Sequence, residues 1–284
     1  MRKVELEKDE VLDSLEIRDY IIIQQKEGFK FGIDSCLLAN IAYKNAEKTL
    51  KKGQKYCFFD LCAGSGVIAN IFYSKHLLST GKSEDKNIKG VLLEIDKKQV
   101  SSAIKTININ GFEENLFVMI CDVKKVKQVK LKEKEDLKNF LSIKQKVSKQ
   151  NLSETADLVL VNPPYFKTEK GLTNKNDKKL VARSEKECSF SDVANAAAFL
   201  LKNSASLYVV HKTERLSEII NTLKKYKLEP KEITFIHSFM DRESQNFILC
   251  AVKNGKEGIK VNRPLIIYEK EGVYTKEVLT LLNK

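Results

Sequence analysis

An apolar run, Asp157-Leu158-Val159-Leu160-Val161, stops abruptly at Asn162-Pro163-Pro164-Tyr165-Phe166. Two prolines fix two φ angles and withhold two N–H donors, so the carbonyls around them stay available as acceptors in a nearly fixed direction. Asn162 adds a side-chain carbonyl acceptor, and Tyr165 and Phe166 set flat apolar faces beside it. These residue types suit a pocket that accepts hydrogen bonds from a planar NH2 group, on a nucleobase or a carboxamide, while an aromatic ring stacks on its carrier. None of them is an acid, a base or a metal ligand, so the reactive group has to come from elsewhere. An ordinary strand-to-loop turn would use the same residues.

Roughly a hundred residues upstream, Tyr56-Cys57-Phe58-Phe59-Asp60-Leu61 reads as a buried strand leading into Cys62-Ala63-Gly64-Ser65-Gly66-Val67-Ile68-Ala69. Glycines at 64 and 66 let the backbone approach a ligand that faces the N-terminus of the following helix. Gly64 to Ala69 also satisfies the G-x-G-x-x-A dinucleotide fingerprint, with Glu94 where a ribose-binding acid would stand, so a nicotinamide-dependent oxidoreductase is one reading. Asp60, four residues before the first glycine, argues for a different ligand, because its anion would repel a pyrophosphate and tolerate a cation. S-adenosylmethionine has no phosphate, carries an ammonium and a sulfonium, and keeps a ribose diol and an adenine for Glu94 and Asp122. Three acids at successive strand ends, Asp60, Glu94 and Asp122, favour that cofactor.

The elements that must position these groups follow in order. Residues 20–25 are extended and end near a Gly28 turn, a candidate short hairpin on the main body. Asp34 or Ser35 is expected to cap an apolar helix running to about residue 48. Strands are predicted at 56–61, 90–95 and 116–122, separated by helices to about Leu78 and over about 97–110. That makes a βαβαβ unit, hence a parallel sheet with ligands at the strand C-terminal ends. Residues 124–150 interrupt the rhythm with ten Lys against three acids, and read as an inserted basic excursion, as a helix or helical hairpin or in disorder. After the Asn-Pro-Pro-Tyr strand, 167–188 is polar and basic, a candidate substrate loop. Ser191-Asp192 is expected to cap a helix to about Lys202. A strand at 205–210, a helix at 214–226 and an edge hairpin from 233–236 and 247–252 complete the sheet. A single domain over 1–284 is expected, with residues 1–50 as an N-terminal extension and helix, 124–150 as the insertion and 254–284 as a tail across the body.

Composition sets the outer limits. With 42% hydrophobic and 31% charged residues over 284 positions, the chain is a folded one of enzyme size. The formal net charge of +12, mostly from Lys, points to a polyanionic partner. Six cysteines (36, 57, 62, 121, 188 and 250) form no C-x-x-C pair and read as reduced thiols of a cytoplasmic protein, with Cys62 and Cys121 in packing roles. The charged N-terminus lacks a signal-peptide core, and no apolar run has the length of a membrane span. His76, His211 and His237 are scattered, so no metal site is expected.

Asp60-x-x-x-Gly64-x-Gly66, Glu94, Asp122 and Asn162-Pro163-Pro164-Tyr165, in this order, resemble the class I S-adenosylmethionine-dependent amino-methyltransferases. A wider match covers nearly the whole chain outside 124–150. It runs through Phe31-Gly32-Ile33-Asp34-Ser35-Cys36-Leu37-Leu38-Ala39, Ala182-Arg183-Ser184-Glu185 and the closing run from Gly258 to Thr275, and it resembles the bacterial tRNA adenine-N6-methyltransferases that modify the adenine 3′ of the anticodon in a valine tRNA. The resemblance implies a Rossmann-like α/β fold: a mostly parallel seven-stranded sheet with helices on both faces and an antiparallel edge hairpin. It implies Ala63, Gly64 and Gly66 approaching the cofactor, Asp60 near its methionine end, Glu94 on the ribose and Asp122 on the adenine. For the substrate it implies Asn162 and the Pro163 carbonyl accepting the amino hydrogens, with Pro164 fixing the turn, Tyr165 and Phe166 against the ring and Arg183 on a phosphate. A monomer acting on tRNA in the cytoplasm is the expectation. Asn-Pro-Pro-Tyr also serves methyltransferases acting on rRNA guanine, DNA adenine or protein glutamine, and a catalytically silent RNA-binding relative would show a broken cofactor motif.

Overall fold

The computed structural model describes residues 4–15, 17, 19–27, 31–50, 53–141, 151–163 and 188–282. Its elements in chain order are β1 (Glu10–Ser14), β2 (Ile21–Gln25), α1 (Ile33–Leu50), β3 (Tyr56–Leu61), α2 (Val67–Thr80), β4 (Ile88–Glu94), α3 (Lys97–Asn110) and β5 (Leu116–Ile120). Then come α4 (Glu135–Phe140), β6 (Ala156–Val161), α5 (Phe190–Leu200), β7 (Leu201–Lys212), α6 (Leu216–Lys225), β8 (Leu228–His237) and β9 (Ser244–Lys253). Short tail pieces follow as β10 (Lys260–Val261), β11 (Leu265–Ile266), β12 (Tyr268–Lys270), β13 (Val273–Tyr274) and α7 (Lys276–Leu282).

The central strands run β7-β6-β3-β4-β5, all parallel, and β9 enters antiparallel between β7 and β8. Seven long strands therefore form the expected sheet. Two two-residue tail strands, β10 and β11, add along β8 and bring the count to nine. A strand buried on both faces sends alternate side chains to opposite layers. Phe58, Leu158 and Val210 enter one core with α1 and α2, whereas Phe59, Val159 and Val209 enter the other with α5 and α6. Helices thus cover both faces because each central strand is apolar at successive positions.

Local details differ from the sequence reading in four places. Helix α1 begins at Ile33, which puts Asp34 inside its first turn and not at the cap. Helix α5 is capped two positions earlier than expected, by Ser189, whose hydroxyl accepts from the Asp192 N–H while Asp192 answers the Ser189 N–H. Strand β7 begins at Leu201 directly after that helix, four residues before the expected start. The described part of the lysine-rich stretch is packed: short 3₁₀ turns and α4 hold Val126, Leu131 and Leu137 in the second core, a spacing of five to six that shows neither helical nor strand periodicity. The rest of that stretch, 142–150, lies outside the described residues, as do Gly28, Pro164, Tyr165, Phe166, Arg183 and the loop predicted at 167–188 except for Cys188.

The β1–β2 hairpin lies on α3. Backbone N–H groups of β2 donate to side chains of the helix, Ile23 to Thr106 Oγ1 at 2.9 Å and Ile21 to Asn110 Oδ1 at 3.1 Å, and Gln25 donates to Ser102 Oγ at 2.8 Å. Buried Glu10 accepts from Ser102 and Lys105, which satisfies its charge. At the far edge β12 and β13 pair through Tyr268 and Tyr274, whose rings stack 5.2 Å apart. Among the described residues no helix is long and apolar enough to cross a membrane.

Candidate functional site

A cavity of about 1230 Å3 opens at the C-terminal ends of β3, β4, β5 and β6, where a doubly wound sheet binds its ligands. Its floor is the loop after β3. Within five residues of that loop, Cys62 (φ 55°), Gly64 (φ 55°) and Gly66 (φ 84°) all adopt left-handed backbone conformations, so the chain reverses sharply before α2 starts. The two glycines play different parts. A Cβ on Gly64 would meet nothing within 4 Å, so this backbone faces open space in the cavity wall. A Cβ on Gly66 would lie 2.7 Å from Leu92 Cδ2, and Gly66 does not line the cavity.

Glu94, at the end of β4, ties the loops together. Its Oε2 accepts from the Gly64 N–H at 2.8 Å, and its Oε1 accepts from the Ile95 and Asp96 N–H groups at 2.7 and 2.9 Å. Oε1 is thereby saturated, whereas Oε2, with one bond made, keeps a second lone-pair site on a residue that lines the cavity. Ile95 follows it with 62% of its surface exposed on the same wall, an apolar face for a flat ring. Asp122, beyond the end of β5, accepts from the Lys124 N–H at 3.0 Å and also lines the cavity.

The structure does not bring Asp60 to the cavity surface. It is fully buried beneath the loop, where its Oδ2 accepts from the Ala69 N–H of α2 at 3.1 Å, and its Oδ1 has no partner among the described residues. Burial pushes its carboxyl from the ordinary 3.8 up to about 8, against the pull of the Ala69 hydrogen bond and with the Glu94 charge adding to the rise. The folded state therefore holds this proton where the unfolded chain has lost it, so the stability that Asp60 contributes falls as pH rises between about 4 and 8. Asp60→Asn, which stays neutral throughout, should melt progressively higher than the parent across that window. A Tm difference that does not grow with pH would contradict the buried-proton assignment.

On the opposite side stands Asn162, the residue after β6. Its Nδ2 donates to Ser35 Oγ on α1 at 2.8 Å, and its buried Oδ1 has no partner among the described residues. Ser35 is 2% exposed and lines the cavity with Asn162. The neighbouring Asp34 accepts from Asn246 Nδ2 of β9 at 3.0 Å through both oxygens, which docks the start of α1 onto the sheet. Burial raises the Asp34 carboxyl, with the Lys212 charge and the Asn246 hydrogen bond opposing.

Cys62 and Cys188 also meet on the cavity wall. The Cys62 thiol is pushed well up, first by its hydrogen bond to Cys188 and then by burial, which keeps it protonated and unsuited to attack. Of the residues singled out by sequence, the structure gathers Ala63, Gly64, Glu94, Asp122 and Asn162 around one cavity. The Pro163 backbone follows directly on Asn162. Missing from the sequence reading were Ser35, whose contact with Asn162 spans 127 positions, and the hairpin residues Lys8, Asp9 and Gln25 to Glu27 along one wall. No spacing signal could have found contacts so distant in sequence. Among the described residues no group of three or more His, Cys, Asp or Glu is placed to hold a metal ion.

No protein-family model matches the chain. It is 22% identical over 271 residues to a tRNA1(Val) (adenine(37)-N6)-methyltransferase of Flavobacterium johnsoniae, covering 95% of this chain and 97% of the relative. Among solved structures it superposes on a predicted O-methyltransferase from Agrobacterium tumefaciens with a TM-score of 0.59 at 18% identity, covering 88% of this chain and 95% of the other. A type I restriction-modification methyltransferase subunit from Streptococcus thermophilus gives a TM-score of 0.54 at 15% identity, over 90% of this chain and 52% of the other. The fold is the Rossmann-like fold of class I methyltransferases.

Proposed function

We propose that this protein transfers a methyl group from S-adenosylmethionine to the exocyclic N6 amine of an adenine in tRNA, beside the anticodon of a valine tRNA. The observation that carries this reading is the Asn162 amide, which presents a buried, unpartnered Oδ1 across from a glycine loop and two strand-end acids on one cavity. The named relative, similar over nearly the full length of both chains, supports the choice of adenine and tRNA. A net charge of +12 suits a polyanionic substrate, and tRNA places the reaction in the cytoplasm.

The cavity's residues fit the cofactor. Gly64 leaves room for close approach, Glu94 can accept from ribose hydroxyls, Asp122 can accept from an adenine amine, and Ile95 offers the apolar wall a ring needs. Asp60 acts from beneath the loop. The same loop fits a dinucleotide poorly, because the amides that would hold a pyrophosphate are engaged: Gly64 N–H with Glu94, Gly66 N–H with the Ala63 carbonyl, and Ala69 N–H with Asp60.

S-adenosylmethionine, when bound, supplies an electrophilic methyl group. The chain's own part is to take the target adenine out of its stack and hold its amine in line. Asn162 Oδ1 and the Pro163 carbonyl accept the two amino hydrogens, which draws the nitrogen lone pair out of conjugation and aims it. Pro164 fixes the turn, Tyr165 and Phe166 hold the ring, and Arg183 meets a phosphate. Catalysis by such positioning is worth several kcal/mol, and the methylated amine, briefly cationic, loses its proton to water.

Incubation with labelled S-adenosylmethionine and tRNA lacking its own modifications, followed by digestion to nucleosides, should give N6-methyladenosine. Label confined to rRNA guanine, DNA adenine or protein glutamine would overturn the tRNA reading, and reduction of a nicotinamide cofactor would overturn the reaction class.

A further inference from the structure

Asn162 stands directly after β6 and before Pro163, and that backbone position does not by itself decide which end of the side-chain amide faces the cavity. An amide that presents its NH2 to the substrate amine would set donor against donor, and one that presents its oxygen meets that amine with an acceptor. In the structure the NH2 end is committed to Ser35 Oγ at 2.8 Å, and Oδ1 is the end left without a partner. Ser35 belongs to the first turn of α1, whose place is fixed from the other side by the double contact of Asp34 with Asn246 of β9. Both contacts are largely withdrawn from solvent, Ser35 at 2% and Asn246 at 9% exposure.

We infer that Ser35 is a positioning residue for Asn162: its hydroxyl oxygen holds the amide NH2 and so keeps Oδ1 turned toward the substrate amine. This rests on the acceptor role given to Asn162 under the proposed function. Without the hydroxyl, the catalytic orientation leaves a buried N–H donor unsatisfied, and other orientations of the amide become competitive.

The test compares Ser35→Ala and Ser35→Thr with the parent protein. With tRNA as substrate, Ser35→Ala should lower kcat on the order of tenfold to a hundredfold, with the KM for tRNA and the Kd for S-adenosylmethionine within about twofold and the melting temperature little changed. Ser35→Thr, which restores a hydroxyl, should recover most of the loss. A second readout needs no turnover: the side-chain amide resonances of Asn162, identified by their disappearance in Asn162→Asp, should shift and lose exchange protection in Ser35→Ala and return toward the parent positions in Ser35→Thr. Unmoved Asn162 amide resonances in Ser35→Ala would overturn the inference whatever the substrate proves to be. An equal fall in cofactor affinity and kcat would overturn it in favour of a merely structural role. Parent protein that methylates no tRNA, with the amide shifts present, would count against the tRNA reading alone.

Discussion

Asn162→Ala is expected to reduce methyl transfer at least about a hundredfold, through kcat, while binding S-adenosylmethionine within about twofold of the parent. The asymmetry follows from the site. In the proposed function Asn162 Oδ1, unpartnered among the described residues, accepts from the substrate amine, and the cofactor is held by other residues of the cavity, on the loop after β3 and at the ends of β4 and β5. Truncation removes the acceptor, leaves Ser35 Oγ without its donor, and disturbs nothing that holds Gly64 or Glu94 in place. Single-turnover assays beside calorimetric titration of the cofactor separate the two effects. Retained turnover would refute the role given to the Asn-Pro-Pro-Tyr pocket, and lost cofactor binding would show that Asn162 serves the other half of the cavity.

The second large effect distinguishes two glycines that look alike in the sequence. Gly66→Ala should destabilise the fold by about 2–4 kcal/mol, because its left-handed φ of 84° is unfavourable for a residue with a Cβ and because that Cβ would lie 2.7 Å from Leu92 Cδ2 in the central strand β4. Tm should fall by roughly 5–10 °C. Gly64→Ala has a smaller backbone cost, about 1 kcal/mol at φ 55°, and its methyl enters open space on the cavity wall. Stability should therefore change little, while affinity for S-adenosylmethionine should drop roughly tenfold or more, the equivalent of about 1.4 kcal/mol. Thermal melts and cofactor titration on both variants check the split. If both variants lose binding with unchanged Tm, Gly66 faces the ligand after all.

This division of labour between Gly64 and Gly66 changes how the motif is read. The spacing Asp60-x-x-x-Gly64-x-Gly66 suggests three residues gathered on one ligand. In the structure only Gly64 presents its backbone to the cavity, while Gly66 lets α2 pack against β4 and Asp60 receives the Ala69 N–H of that helix. Two of the three positions support the loop from below, and their influence on a bound cofactor passes through the placement of Gly64 and Glu94.

By itself the sequence determined the architecture and the chemical character of the site. Strands apolar at successive positions have to be buried on both faces, so Phe58 and Phe59, or Leu158 and Val159, demand cores above and below and hence a helix-covered parallel sheet. Acids and glycines at strand ends then fall along one edge of that sheet by topology alone, which is why Glu94, Asp122 and Asn162 share one cavity. Tertiary structure decided what depends on contacts remote in sequence or on backbone detail. The Ser35 contact with Asn162, the docking of Asp34 on Asn246 across 212 positions and the hairpin wall beside α3 follow from how whole elements pack. So do the separate fates of Gly64 and Gly66, since a glycine is read as freedom of the backbone, and only the neighbouring atoms show whether that freedom admits a ligand or another strand.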